Sequence, residues 1–134
     1  MRINKIHERF FFLILPFLWI NCSPPENQSK AVILFTQQEY NFGDVFFKKP
    51  VTCHFQFINL GKTALMIDNV RTTCGCTIVD WAKKPIKPGE FGMIDIKYDA
   101  ISSGSFYKEI GIYYNGTDSP VILRIKGKVV FPYE

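Results

Sequence analysis

The chain has 134 residues, of which 47% are hydrophobic and 16% aromatic, enough to build one packed core and to exclude wholesale disorder. Its formal charge of +4 includes three of the sixteen basic residues (Arg2, Lys5, Arg9) and one of the twelve acidic ones (Glu8) within the first nine positions, so the remainder carries +2. So weak and dispersed a field excludes nucleic acid as the expected partner.

In chain order, the basic start runs into FFFLILPFLWI, residues 10–20, and then directly into Asn21 and Cys22. A basic segment followed by a short apolar one reads as an export signal. As a helix these residues would reach roughly 16 Å against the ~30 Å of a hydrocarbon layer, and Pro16 interrupts them, so a spanning helix is disfavoured. A cysteine placed straight after the apolar stretch resembles the lipobox of bacterial lipoproteins, whose thiol is acylated and becomes the first residue of the mature chain. Asn21 stands where that motif usually has a small residue, and Trp19 where Leu is common. The alternative is an ordinary secretory signal with a cysteine nearby. Residues 23–30, SPPENQSK, have almost no apolar content and read as a linker. The expected organisation is a lipoprotein signal peptide over 1–21, a lipidated Cys22 with a flexible tether over 22–30, and a β domain over 31–134. Such a protein would hang from a membrane of the cell envelope, facing the periplasm or the cell surface.

From Ala31 onward, runs rich in Val, Ile, Phe, Tyr and Thr alternate with period two between closely spaced turn signals. AVILFT (31–36) and YNFGDV (40–45) read as strands, with Gly43 at a bend or bulge. VTCHFQFIN (51–59) alternates most cleanly, directing Val51, Cys53, Phe55 and Phe57 to the core and Thr52, His54 and Gln56 outward. ALMIDNVRTT (64–73) follows the turn at 59–62, and residues 74–80 form a further edge or strand. The loop WAKKPIKPGE (81–90) is barred from regular pairing by Pro85, Pro88 and Gly89. FGMIDIKYD (91–99) offers Phe91, Met93, Ile94, Ile96 and Tyr98 as apolar positions, with Met93 off-register. SFYKEIGIYYN (105–115) and VILRIKGKVVF (121–131) complete the set, the latter with Arg124, Lys126 and Lys128 on one face, as at a protected edge or outer face. About seven short strands without helical periodicity predict an all-β, antiparallel two-sheet sandwich.

Several motifs together also resemble a known family. Phe42-Gly43, then Phe55, Phe57, Asn59 and Gly61, then Leu65 and Ile67, then Cys74 to Thr77, then Pro85, Ile86, Pro88, Gly89 and Glu90 are similar to the pattern of the bacterial domain of unknown function fifteen seventy-three. The resemblance covers nearly the whole of the expected mature chain. It implies an immunoglobulin-like sandwich akin to those of cilium-associated and sperm cytoskeletal proteins and pilus chaperones, in proteins that are mostly exported, often lipid-anchored and without an assigned activity. Cys53 departs from that pattern and makes the thiol count of the mature domain odd.

With Cys22 acylated, Cys53, Cys74 and Cys76 remain in an oxidising compartment, where some pairing is expected. On an extended strand Cys74 and Cys76 would lie about 6.5–7 Å apart at Cα, the upper edge of disulfide geometry, so a bridge needs a kink that Gly75 can supply. Such a ring would be easily reduced, which opens a redox or sensing role. The other readings are buried thiols, either free or with one of them bridged to Cys53, and thiol exchange or metal binding. The C-x-x-C at a helix start that thioredoxin-type chemistry favours is missing. His54 adjoins Cys53 on the opposite strand face, so no zinc set forms, and copper(I) held by two thiolates is the remaining metal option. No metal site or cofactor is therefore expected.

Hydrolytic catalysis lacks a nucleophile elbow, and Asp95 and Asp99, four apart on a strand, would stand about 13 Å apart. Trp81 with Lys83 and Lys84 is the candidate partner contact, suited to an anionic glycan or a protein; the alternative is that Trp81 covers one end of the sandwich. The sequence thus points to a non-enzymatic, lipid-anchored envelope protein that binds a protein or polymer, with a thiol-redox or copper-handling protein using Cys74 and Cys76 as the competing expectation.

Overall fold

A computed structural model describes residues 30–133, so the expected signal peptide and Cys22 lie outside the described residues. Eight strands form: β1 (Ile33–Phe35), β2 (Glu39–Phe46), β3 (Val51–Asn59), β4 (Ile67–Thr72), β5 (Thr77–Trp81), β6 (Phe91–Tyr98), β7 (Gly104–Tyr114) and β8 (Val121–Val130). They make two four-stranded sheets, β1-β3-β6-β5 and β2-β8-β7-β4, which is the immunoglobulin-like arrangement with the first strand divided between the sheets.

That division accounts for the strand count and for one departure from the sequence reading. The roughly seven strands expected are eight among the described residues, because the chain leaves the first sheet after Phe35 and joins the second at Glu39. There it runs parallel to β8, so the pairing is not wholly antiparallel, and residues 121–130 are an inner strand rather than an edge. The expected bulge is present: the β2–β8 register shifts between Asn41 and Asp44, where Gly43 adopts φ 66°. Residues 74–80 are a strand only from Thr77, with the cysteines in the preceding turn.

The core follows the alternation of β3, with Cys53, Phe55 and Phe57 buried against Ile94, Ile96 and Tyr98 of β6 and Ile110, Ile112, Leu123 and Ile125 of the other sheet. Tyr98 and Phe106 stack with ring centroids 4.1 Å apart. Phe91 and Met93, read as apolar strand positions, face outward. Gly92 between them explains this: it pairs with Phe57 on the inner face, and a Cβ there would sit 2.2 Å from the Phe57 ring. A bare backbone under that ring fixes the register, and its neighbours must point away.

The alternation of β3 continues inward to Asn59, a fully buried amide. Its Nδ2 donates to the carbonyls of Thr63 (2.8 Å) and Ile86 (3.0 Å), and its Oδ1 accepts from the Gly61 N–H (2.9 Å). Its backbone N–H donates to Glu90 O and its carbonyl accepts from the Gly89 N–H. One residue therefore joins the β3–β4 loop to the β5–β6 loop, and Ile86 plugs that end of the core through a bridge to Leu65. Gly61 permits the closure because a Cβ would lie 2.7 Å from Val32 N, and Gly89 turns at φ 80°.

Removing the side chain in Asn59→Ala strips three hydrogen bonds from buried and half-buried loop backbone and should cost about 2–4 kcal/mol, read as a lowered urea midpoint. Asn59→Asp should be about as damaging, since a carboxylate would then face two carbonyl oxygens. A loss below about 0.5 kcal/mol for both would show that the loops close without the amide.

Candidate functional site

Strand directions give the sandwich two unlike poles. At one lie Ala31, where the chain enters, and the β3–β4, β5–β6 and β7–β8 loops; Ala31 bridges Gly116, and the Asn115 side chain donates to Ala64 O. At the other lie the β2–β3 and β6–β7 loops, the β4–β5 turn and residues 131–133, tied by bonds such as Lys48 N–H to Ala100 O and Phe47 N–H to Val130 O. The candidate residues divide between them.

Cys74 and Cys76 occupy the β4–β5 turn at the second pole, where the chain crosses between sheets. Their sulfurs are joined in a disulfide, with Cα atoms 5.4 Å apart. The turn supplies the compaction. Gly75 is not needed for space, as a Cβ there would meet nothing within 4 Å. The Thr72 hydroxyl donates to Cys74 O (2.9 Å) and the Asp99 N–H to Cys76 O (3.1 Å), while the Thr77 hydroxyl lies 3.9 and 4.0 Å from the two sulfurs. The bridge is half-buried, with Cys76 packed against the core. Joined to each other, these sulfurs are not a thiolate pair, and among the described residues no three His, Cys, Asp or Glu side chains cluster as metal ligands.

Cys53 is a separate, free thiol, 2% exposed. Burial first, and then the negative charge of Asp95, push its pKa up to about 12. It stays protonated through the physiological range and is a poor nucleophile. His54, on the outward face as expected, bonds Asp95 across the β3–β6 ladder at 2.6 Å. Asp99, weighed in the sequence with Asp95, instead lies beyond β6 and accepts the Ile101 N–H. The carboxylate facing Asp95 is Asp80, opposite it in register on β5 and 4.0 Å from Lys83 Nζ. That pairing crosses strands, and spacing along the chain cannot reveal it.

Trp81, Lys83 and Lys84 fall at the first pole, away from the disulfide. Trp81 packs partly against the core, its indole nitrogen is buried without a partner among the described residues, and the Lys83 ammonium lies over its ring. Beside them the outer face of β1-β3-β6 carries an apolar row that sequence reasoning missed. Leu34, Ile58 and Phe91 stand side by side in register, with Met93 next to them; Leu34 is 52% and Phe91 61% exposed. The signal was present in part, since the alternation that sends Phe57 inward sends Ile58 outward. At the second pole Phe46, Ile101 and Phe131 are exposed, and Phe131 packs on Phe47 with centroids 4.8 Å apart. The outer face of the other sheet is charged: Lys126 pairs with Glu39, and Arg124 with Glu109 at 3.1 Å.

Comparison with known proteins supports the architecture. The model of the family described as "Protein of unknown function (DUF1573)" matches residues 33–129. No curated protein matches the chain. Among solved structures, the ASH/PapD-like domain 7 of human CEP192 superposes with a TM-score of 0.67 at 9% identity, covering 96% of this chain and 100% of that one. A protein of unknown function from Porphyromonas gingivalis W83 gives 0.66 at 18% identity, over 73% of this chain and 46% of that one. The VesB protease of Vibrio cholerae gives 0.61 at 16%, over 75% and 32%. The chain thus spans less than half the length of these last two, and the likenesses show a shared fold.

Because Cys53 ionises in the unfolded chain near its ordinary value of 9.0 and in the folded chain near 12, the unfolded state holds fewer protons between those values. Stability should therefore fall as pH rises above 9, by at most about 1.4 kcal/mol per pH unit from this group. Tyr98 and Tyr114, also raised by burial, add in the same direction. Urea unfolding at pH 8 and 10.5 should show the fall, and Cys53→Ala should shallow it; equal slopes in both proteins would refute the assignment to Cys53.

Proposed function

From the premise that the chain belongs to the DUF1573 family, matched over residues 33–129, we propose that it is a lipid-anchored, exported, non-enzymatic binding module of the cell envelope. Cys22 is the acylated residue, residues 23–30 are the tether, and the immunoglobulin-like domain presents its far pole to a protein or envelope polymer. The observation that carries this reading is the placement of exposed apolar side chains: Phe46, Ile101 and Phe131 gather at the pole opposite the one where the chain enters the sandwich at Ala31. A tether attached at one end leaves the other end accessible. Aromatic anchors are the side chains that contribute most to protein interfaces, because they bury large areas at small entropic cost.

The half-buried disulfide at that pole favours one further reading, a thiol-redox protein that cycles Cys74 and Cys76. Mass spectrometry of the mature protein across glutathione buffers separates the two. A bridge that stays closed, with a potential below about −300 mV, leaves the binding module; opening near the compartment's own potential supports the redox protein.

Metabolic labelling with palmitate should mark the wild-type protein and be lost in Cys22→Ala; an unlabelled wild type would remove the anchor. In intact cells, a photo-crosslinking residue at position 131 should give a discrete envelope adduct. Phe46→Ser with Ile101→Ser should reduce that adduct by about tenfold while leaving the urea midpoint nearly unchanged. An adduct insensitive to these changes would place the partner elsewhere.

A further inference from the structure

We propose that the domain does not swing freely on its anchor but rests its first pole on the bilayer, with the row Leu34, Ile58, Phe91 and Met93 set at the apolar boundary and neighbouring lysines over anionic headgroups. This rests on reading Cys22 as the lipid attachment. The eight Cα-to-Cα steps from Cys22 to Lys30 reach at most about 29 Å when fully extended, so the first pole cannot leave the zone just above the headgroups. The row lies at that pole. Val32 and Leu60, both exposed, extend it towards the point where the chain enters, Val32 O accepting the Leu60 N–H.

Charge complements the apolar row. Lys30, Lys62, Lys84 and Lys87 are exposed around the same side of the pole. Of the carboxylates near the row, Asp80 lies 4.0 Å from Lys83, Asp95 is bonded by His54, and Glu90 is turned back to accept the Lys87 N–H, while Asp118 is exposed in the β7–β8 loop of the same pole. Basic side chains beside an apolar strip are the composition that seats a protein surface at an anionic interface. Such a patch binds weakly when free, but a short tether raises its local concentration to the millimolar range, where weak contacts become occupied. The far pole has the opposite relation to the bilayer, because the strands point it away along their whole length.

Among the described residues every ladder and every core residue lies between 31 and 130, so a protein beginning at Cys22 retains the described sandwich. In it Cys22 is the reactive thiol, since Cys53 is buried and the other two cysteines are bonded to each other. Coupling Cys22 to a maleimide phospholipid imposes the anchor chemically, so the measurement does not depend on whether the cell acylates this residue. The test compares Phe91→Trp with Ile101→Trp on vesicles of phosphatidylglycerol and phosphatidylethanolamine with brominated chains, after subtracting the parent protein's Trp81 signal. Emission from Phe91→Trp should be quenched at least about twofold and that from Ile101→Trp hardly at all, and Lys62→Glu with Lys84→Glu and Lys87→Glu should abolish the difference. Equal emission from the two sites on anchored vesicles would overturn the proposal. The palmitate experiment reports separately on the anchor itself.

Discussion

A single buried amide closes one end of this protein. Asn59 lies at the inner end of β3 with no exposed surface, and both hydrogens and the oxygen of its side chain are bonded to backbone. Loops carry more unpaired backbone groups than strands do, and burying such groups unpaired is costly. Asn59 supplies from inside the core the donors and acceptor that the β3–β4 and β5–β6 loops need, so Ile86 can be drawn over the core as a plug. The surface consequences follow from that closure. The β5–β6 loop is held where Lys84 and Lys87 project, and β6 starts at Phe91, immediately after Glu90 accepts the Asn59 N–H.

The divided first strand solves a second problem. An open sheet leaves two edges that invite another strand. Here β2 crosses over to run parallel along β8, covering the strand that would otherwise end the second sheet. The bulge at Gly43 twists that new edge, and the pairing of Lys126 with Glu39 lays charge across it. With this face largely charged, Tyr107 is the large apolar side chain left exposed on it, and the others lie at the two poles and on the outer face of the first sheet. That segregation gives the domain a direction, and the proposed anchoring gives the direction a meaning.

Much of this was legible in the sequence. The period of two in residues 51–59 located the core face, and Gly43 marked the bulge. Neither the crossing of β2 nor the inner position of β8 was legible, because pairing between residues more than eighty positions apart leaves no local periodicity. Phe91 shows a subtler limit. Its apolar character and place in a strand read as core, yet the face a residue takes is set by register, and register here depends on a glycine accommodating the Phe57 ring from the partner strand. Asn59 was legible as a motif position, and continuing the β3 alternation would have sent it inward. What it binds there belongs to loops whose paths the sequence does not encode locally.

The two poles are closed by different chemistry, and the difference follows from water. A hydrogen bond stabilises most where its groups have no aqueous alternative, and Asn59 has none. The β4–β5 turn at the other pole is half exposed, so water competes for each bond made by Thr72 and Asp99. A covalent link is indifferent to that competition. It is not a staple for the fold: closing a three-residue loop removes roughly 1.5 kcal/mol of chain entropy from the unfolded state, about half of what a fifteen-residue loop would give. Its effect is local, fixing the shape of the turn where the chain changes sheets beside Ala100 and Ile101. A rigid turn at the pole proposed to face away from the bilayer would be a surface held ready in one form, so a partner docking there would bear less of the entropic cost of ordering it.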